Sequence, residues 1–230
     1  MTRTCVLGAD ACKGGWIGVT LSSGEVRAFV HPDIGVLVAL AAAVGTLDAI
    51  AIDIPIGLAD SSQRQADLLA RKAAGARWAS VFVTPVRSAL ALETHAAASA
   101  LNRQLTGSGI SRQAFNLREK IRQVDDWLPH AQCPVVEAHP ELIFAELAGA
   151  PLPDSKSTWA GAVRRRQLLS RAGIEVSGDL GLSGQQVGVD DVLDAAAVAW
   201  TAERVTRGSA RCIPDPPERF NDGIACAIWV

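Results

Sequence analysis

Residues 47–57, LDAIAIDIPIG, constrain the fold more than any other stretch of the chain. From Ala49 to Ile52 the run is apolar without a break, so a strand built from it has to be covered on both faces. Such a strand belongs at the centre of a sheet with helices layered on each side. It ends in Asp53, and Pro55 and Gly57 then break the chain. A carboxylate there costs several kcal/mol to bury alone, and a cation or a hydrogen-bond network relieves that cost.

The N-terminal stretch CVLGADACKGGW has the same ending. An apolar run from Cys5 to Ala9 delivers Asp10 into a Gly14-Gly15 corner. Residues 3–9, 16–21 and 26–31 read as strands joined by short links, hence as an antiparallel meander. Pro32-Asp33 opens a helix over 34–44, closed by Gly45, which returns the chain to the apolar strand. That crossover lets the fourth strand lie parallel to the first, with Asp10 and Asp53 at the same end. In open sheets that end is where ligands collect.

Further along, helices are predicted from Ser61 or Ser62 to Ala74, over 94–105, 112–128, 140–147 and 158–172, and from Asp190 onward. Residues 80–87 read as a short strand or loop, 177–188 as a Gly-rich loop, and strands end at Glu137 and at Val230. The pattern predicts one α/β domain over 1–230. Its mixed central sheet joins an antiparallel three-strand meander to parallel strands, with helices on both faces and a mainly helical insertion at about 80–130.

Composition narrows the function. Apolar residues are 49% of the 230 and charged residues 20%, enough for a large core and too apolar for disorder. A formal net charge of -2 excludes a globally basic protein that coats nucleic acid, though not an enzyme that grips a short stretch locally. No apolar run reaches the length of a membrane span, so no membrane partner is expected. Five Cys without C-x-x-C or zinc spacing, and no signal-peptide pattern, point to a cytoplasmic protein with reduced thiols.

Acids recur at element ends: Asp10, Asp53, Glu137 and the group Asp190, Asp191 and Asp194. Positions 191 and 194, or 190 and 194, share a helical face. Asp190 also reads as an N-terminal cap, Asp53 as a turn residue before Pro, and Glu137 as a partner for His139 or an Arg. Carboxylates converging from separate elements suit hard divalent cations, Mg²⁺ or Mn²⁺. Two such ions roughly 4 Å apart can hold the attacking and leaving oxygens of a phosphodiester displacement.

Nine stretches carry a resemblance to a known family: GADACKGGW (8–16), AIDIPIGL (51–58), R-x-x-D-x-x-x-R (64–71), SVFVTPVR (80–87), GISRQAFNL (109–117), KIRQVD (120–125), VVEAHPE (135–141), SKST (155–158) and DDVLDAAAVAWTA (190–202). In this order the chain resembles the predicted RNase H-like nucleases grouped as domain of unknown function 429. The resemblance implies an RNase H-like fold with acids on its first and fourth strands and last helix. On this chain those become Asp10, Asp53 and Asp191 with Asp194 as metal ligands; Glu137, read from its own position at a strand end, joins them as a candidate catalytic acid. It implies a metal-dependent nuclease acting on nucleic acid or another phosphate-containing substrate.

Candidate substrate-binding residues surround these acids. Arg64 and Arg71 form either a phosphate clamp or, with Asp67, an intrahelical salt-bridge stripe. Thr84 with Arg87 reads as a rigid binding loop or a surface turn. Gln113 and Lys120 recur at helical spacing, along a groove or a solvated face. His139 orients Glu137, moves a proton, or only shapes a His-Pro corner. Lys13 and Lys156 offer phosphate contacts, and Trp16 beside Asp10 either packs or stacks on a base. Two other functions fit less of the sequence: a nucleotide-binding relative of the actin and sugar-kinase type, which needs a second phosphate loop, and a non-catalytic binding or scaffold protein.

Overall fold

Apolar residues alternate between the two faces of a single sheet. In the computed structural model, which describes residues 4–185 and 187–230, β1 (Cys5–Cys12), β2 (Gly15–Ser22) and β3 (Glu25–His31) form the expected meander. Helix α1 (Ile34–Ala42) leads to β4 (Ala49–Ile52), which lies parallel to β1. The sheet continues through β5 (Val135–Ala138), β6 (Cys212–Arg219) and β7 (Ala225–Trp229) in the order β3-β2-β1-β4-β5-β7-β6. It is a seven-stranded mixed sheet in an α/β protein.

Between β4 and β5 the chain is helical: α2 (Gln65–Ala73), α3 (Arg87–Leu90), α4 (His95–Thr106), α5 (Arg112–Asn116) and α6 (Arg118–Trp127). After β5 come α7 (Pro140–Ala148), α8 (Trp159–Arg171) and α9 (Val189–Thr206). Val6, Ile17, Val19, Ala49 and Ala51 pack into the core of α9, α7 and α8. Their strand neighbours Leu7, Ala9, Ile50 and Ile52 pack into a second core with α1 and α6. A buried strand therefore needs both layers, as its unbroken apolar run requires. Among the described residues no helix is long and apolar enough to cross a membrane.

Several elements differ from the sequence reading. Helix α2 starts at Gln65, because Arg64 is extended and Ser61 and Ser62 do not cap it. Of the strand or loop expected over 80–87 the loop is what forms, after a 3-10 turn (Gly75–Ser80) and before α3. The helix expected over 112–128 is broken at Leu117 into α5 and α6. Strand β6, CIPDPPER, had no counterpart in the sequence reading. Three prolines argue against a central strand, yet β6 lies at the sheet edge, where missing N–H donors do no harm. Its register against β7 shifts between Ile213 and Glu218. Arg3, which opened the first strand as read, and Gln186, within the expected 177–188 loop, lie outside the described residues.

Helix α9 crosses β1 with no side chain between them at Gly8. A Cβ there would meet Ala199 N at 2.1 Å and Ala195 O at 2.3 Å, both backbone atoms that cannot give way. The residue is glycine because the helix backbone rests on the strand. Gly8→Ala is expected to destabilise the protein by on the order of 3 kcal/mol. Gly14→Ala, whose Cβ would stand 3.8 Å from Val30 Cγ1, is expected to change stability by no more than about 0.5 kcal/mol. Chemical denaturation of the two variants checks this; equal midpoints would contradict the packing.

Candidate functional site

The close approach at Gly8 brings three acids together. Asp10 lies two residues further along β1 on the α9 face, in line with Val6 and Gly8. Asp53 follows β4, and its N–H donates to the Ala9 carbonyl at 2.8 Å, which sets it beside Asp10. On α9 the run from Leu193 to Ala199 is buried, and Asp194 within it is 1% exposed. Its Oδ2 accepts a hydrogen bond from Lys156 Nζ at 2.7 Å, whereas its Oδ1 is buried with no partner among the described residues. Lys156 Nζ also lies 3.9 Å from Asp190 Oδ2. Asp191, half-buried, completes the rim.

Buried like charges set the electrostatics. Burial, then the charges of Asp53 and Asp194, hold the Asp10 carboxyl well above its ordinary range, against the pull of Lys156. Asp53 is raised by burial, with His139 and Lys156 opposing. Burial pushes Asp194 up to about 7 although Lys156 pulls it down. Asp191 is raised by burial and by Asp190. Lys156, despite its own desolvation, is held above its ordinary value by Asp194, Asp10 and Asp53. Among the described residues no group of three or more His, Cys, Asp or Glu is arranged as a ready-made metal site. The carboxylates share this corner with an ammonium instead.

Glu137 belongs to a different cluster. β5 pairs with β4 in the register Ile52↔Glu137, so Glu137 takes the face of Ile52 rather than that of Ala51. Its Oε2 accepts from Ile56 N at 2.8 Å and from Arg64 Nη2. Arg64, 0% exposed, also donates to Thr84 Oγ1 and Cys226 Sγ, each at 3.1 Å, and its Nε lies 3.7 Å from Asp67 Oδ1. Asp67 Oδ2 in turn accepts from Thr84 N at 2.7 Å. A buried arginine with this many acceptors ties β5, β7, α2 and the 81–86 loop into one block.

The acids and this block face each other across a cavity of about 230 Å³. Asp10, Asp53, Asp191 and Lys156 line it together with Glu137, Thr84 and Asp67, with His139 near enough to Asp53 to act on its charge, and Ser80, Phe82, Gln113 and Leu117 also contribute. His139 Nδ1 is buried without a partner, while Nε2 lies 3.4 Å from Ser80 O.

Residues 8–219, which span these elements from β1 to β6, match the family model described as Protein of unknown function (DUF429). The chain belongs to that family. No curated protein and no solved structure matches it.

In this DUF429 protein the residues expected to bind substrate separate by position. Thr84, Gln113, His139 and Lys156 line the cavity. Trp16 does not: it is 0% exposed in the second core, with its indole N–H bonded to Gln123 and Lys120 over its ring at 4.8 Å, so no base can stack on it. Arg64 stands behind the wall, paired with acids, and cannot clamp phosphate. Arg71 donates to Val81 O at 2.6 Å and covers Trp78; Arg87 is paired with Asp125 and Asp222. Lys120 also donates to Pro32 O, and Lys13 is exposed at the β1–β2 turn. Asp190 sits in the first turn of α9 without capping it, since the cap residue is Gly188. The sequence reads Asp67 only as a member of an intrahelical salt-bridge stripe; its pair with Arg64 is present at 3.7 Å, but both side chains are buried. The helical spacing of Asp67 to the small apolar residues Ala70 and Ala74, both buried, is the signal that marks it for burial.

The raised carboxyls fix the sign of a pH effect. Each binds its proton more tightly in the folded chain than in the unfolded one. Stability therefore falls as pH rises from about 4, the unfolded value, towards about 7 for Asp194. In metal-free buffer Asp10→Asn should gain on the wild type as pH goes from about 5 to about 7.5. Thermal melts in EDTA measure this, and an Asp10→Asn protein that loses ground over that interval contradicts the assignment.

Proposed function

We propose that the protein is a metal-dependent phosphodiesterase of RNase H-like fold that hydrolyses nucleic acid. One observation supports the reading: Asp10, Asp53 and Asp191 line the cavity with Lys156, and Asp194, bonded to that lysine, keeps a buried Oδ1 without a partner among the described residues. Asp10 on the first strand, Asp53 just after the fourth and Asp191 and Asp194 on the last helix support the reading that the resemblance suggests. A scaffold protein gains nothing from burying like charges, which cost stability.

The donors fit a hard divalent cation in kind and in charge, being carboxylate oxygens in excess over their cationic partners. Asp10, Asp53, Asp191 and Asp194 would hold it. Mg²⁺ or Mn²⁺ bound there supplies Lewis acidity and an activated water.

The chain's own groups do the rest. The Arg64 network keeps Glu137, Thr84 and the 81–86 loop rigid, so the far wall of the cavity holds its shape. His139 presents an unpartnered Nδ1 that can take or return a proton. Gln113 and Thr84 offer polar contacts to a phosphate, and the Lys156 ammonium offsets its charge. A cavity of about 230 Å³ admits the reacting phosphate while the remaining nucleic acid stays outside.

A metal-supplemented screen of labelled DNA, RNA, hybrid and junction substrates, with ATP as a further arm, tests the proposal. The wild type is expected to cleave at least one nucleic acid, and Asp53→Asn to lose about a hundredfold or more of that rate. Equal activity in the two proteins contradicts the site, and tight ATP binding with no cleavage favours the nucleotide-binding alternative.

A further inference from the structure

Lys156 stands on a backbone that is held far more firmly than its side chain. The Ser155 carbonyl accepts from Thr158 N at 3.1 Å and Thr158 Oγ1 at 2.8 Å, and Thr158 caps α8 by accepting from Gly161 N at 3.1 Å. A Cβ on Gly161 would fall 1.9 Å from that same Ser155 carbonyl, so only glycine lets the loop sit so close to the helix. Arg165, fully buried and bonded to both oxygens of Glu141 at 2.9 and 3.1 Å, donates to Asp154 O at 3.2 Å. The residues on either side of Lys156 are thus tied to α7 and α8, which aims the lysine at Asp194. Its side chain is 40% exposed and has a free path to solvent.

Asp194 has no such freedom. It is enclosed on α9, one oxygen holds the ammonium, and the other has nothing to bond. An ammonium on a flexible stem satisfies one oxygen as a strongly hydrated point charge. A divalent cation takes carboxylate oxygens in either mono- or bidentate fashion and brings twice the charge. Asp190, 3.9 Å from the ammonium and with its side chain 33% exposed, offers a second partner nearer solvent.

We propose that Lys156 is a tethered counter-ion that competes with a divalent cation for Asp194. In the metal-free chain it neutralises the buried acid and keeps the site folded. When the cation arrives, the ammonium moves out towards Asp190 and the cavity mouth, where it meets the phosphate of the substrate. This inference rests on the metal-dependent reading above and adds a role for one residue within it.

Calorimetric titration with MnCl₂ alone, on the full chain without any substrate, tests it. Lys156→Gln is expected to bind Mn²⁺ about tenfold more tightly than the wild type, the bond to be broken having gone. Lys156→Arg, which keeps a cation on the tether, should stay near the wild type. In EDTA Lys156→Gln should melt below the wild type, and Mn²⁺ should close the gap. A lysine that served only as a structural ion pair would give the lower melting point without the tighter binding. If Lys156→Gln loses its fold in EDTA, recovery of a cooperative melt with Mn²⁺ supports the competition and failure to recover counts against it. Equal or weaker Mn²⁺ affinity in Lys156→Gln overturns this inference and leaves the metal reading standing. No Mn²⁺ binding by either folded protein overturns both.

Discussion

The site depends on the contact between two backbones at Gly8. Helix α9 carries Asp194 and Asp191, and strand β1 carries Asp10; these acids meet because α9 lies directly on the strand, with Ala195 and Ala199 against Gly8. The Ala-rich sequence of α9 suits this contact, since small side chains let helix and sheet approach. Parallel pairing of β4 with β1 then adds Asp53 through its bond to Ala9 O. Three separate elements thereby place carboxylates at one end of the sheet, where their desolvation and mutual repulsion raise their proton affinity. Packing elsewhere in the two cores has to offset that cost.

Two buried ionic clusters with opposite characters face the cavity. Arg64, Glu137, Asp67 and Thr84 satisfy one another, and the block they form behaves as structure. The cluster of Asp10, Asp53, Asp194 and Lys156 is left short of cations and retains an orphaned oxygen. A fully paired buried network fixes conformation, whereas an under-compensated one is a place for a ligand. That contrast separates Glu137 from the aspartates, although all of them line or adjoin the same cavity.

Much of this was legible in the sequence, wherever a pattern was local. The unbroken apolar run of β4 announced a two-faced central strand, and the meander and parallel crossover followed from short links and one intervening helix. Asp10, Asp53 and Asp194 could be picked out because each is an acid at the end of, or within, an apolar run. What was hidden depends on register and on long-range partners. Glu137 read either as one more acid of the site or as a partner for an Arg, and the long-range pair with Arg64 decides for the second. Trp16 next to the acidic strand end left packing and stacking both open, and strand alternation decides for packing, in the opposite core. Strand β6 escaped because its prolines are admissible only at an edge, and edge position is a property of the whole sheet. Lys156 read as a phosphate contact, but its pairing with Asp194 had no local sign, since the loop that aims it is held by Gly161 and Arg165 on the following helix.

The central proposal is that Asp10 on β1, Asp53 just after β4 and Asp194 on α9 bind a divalent cation. Crystals of the protein soaked in millimolar Mn²⁺ and measured for anomalous scattering test it most directly. The account predicts a peak about 2.2 Å from carboxylate oxygens of Asp10, Asp53 and Asp194. A map with Mn²⁺ elsewhere on the molecule and no peak among these three residues would contradict it.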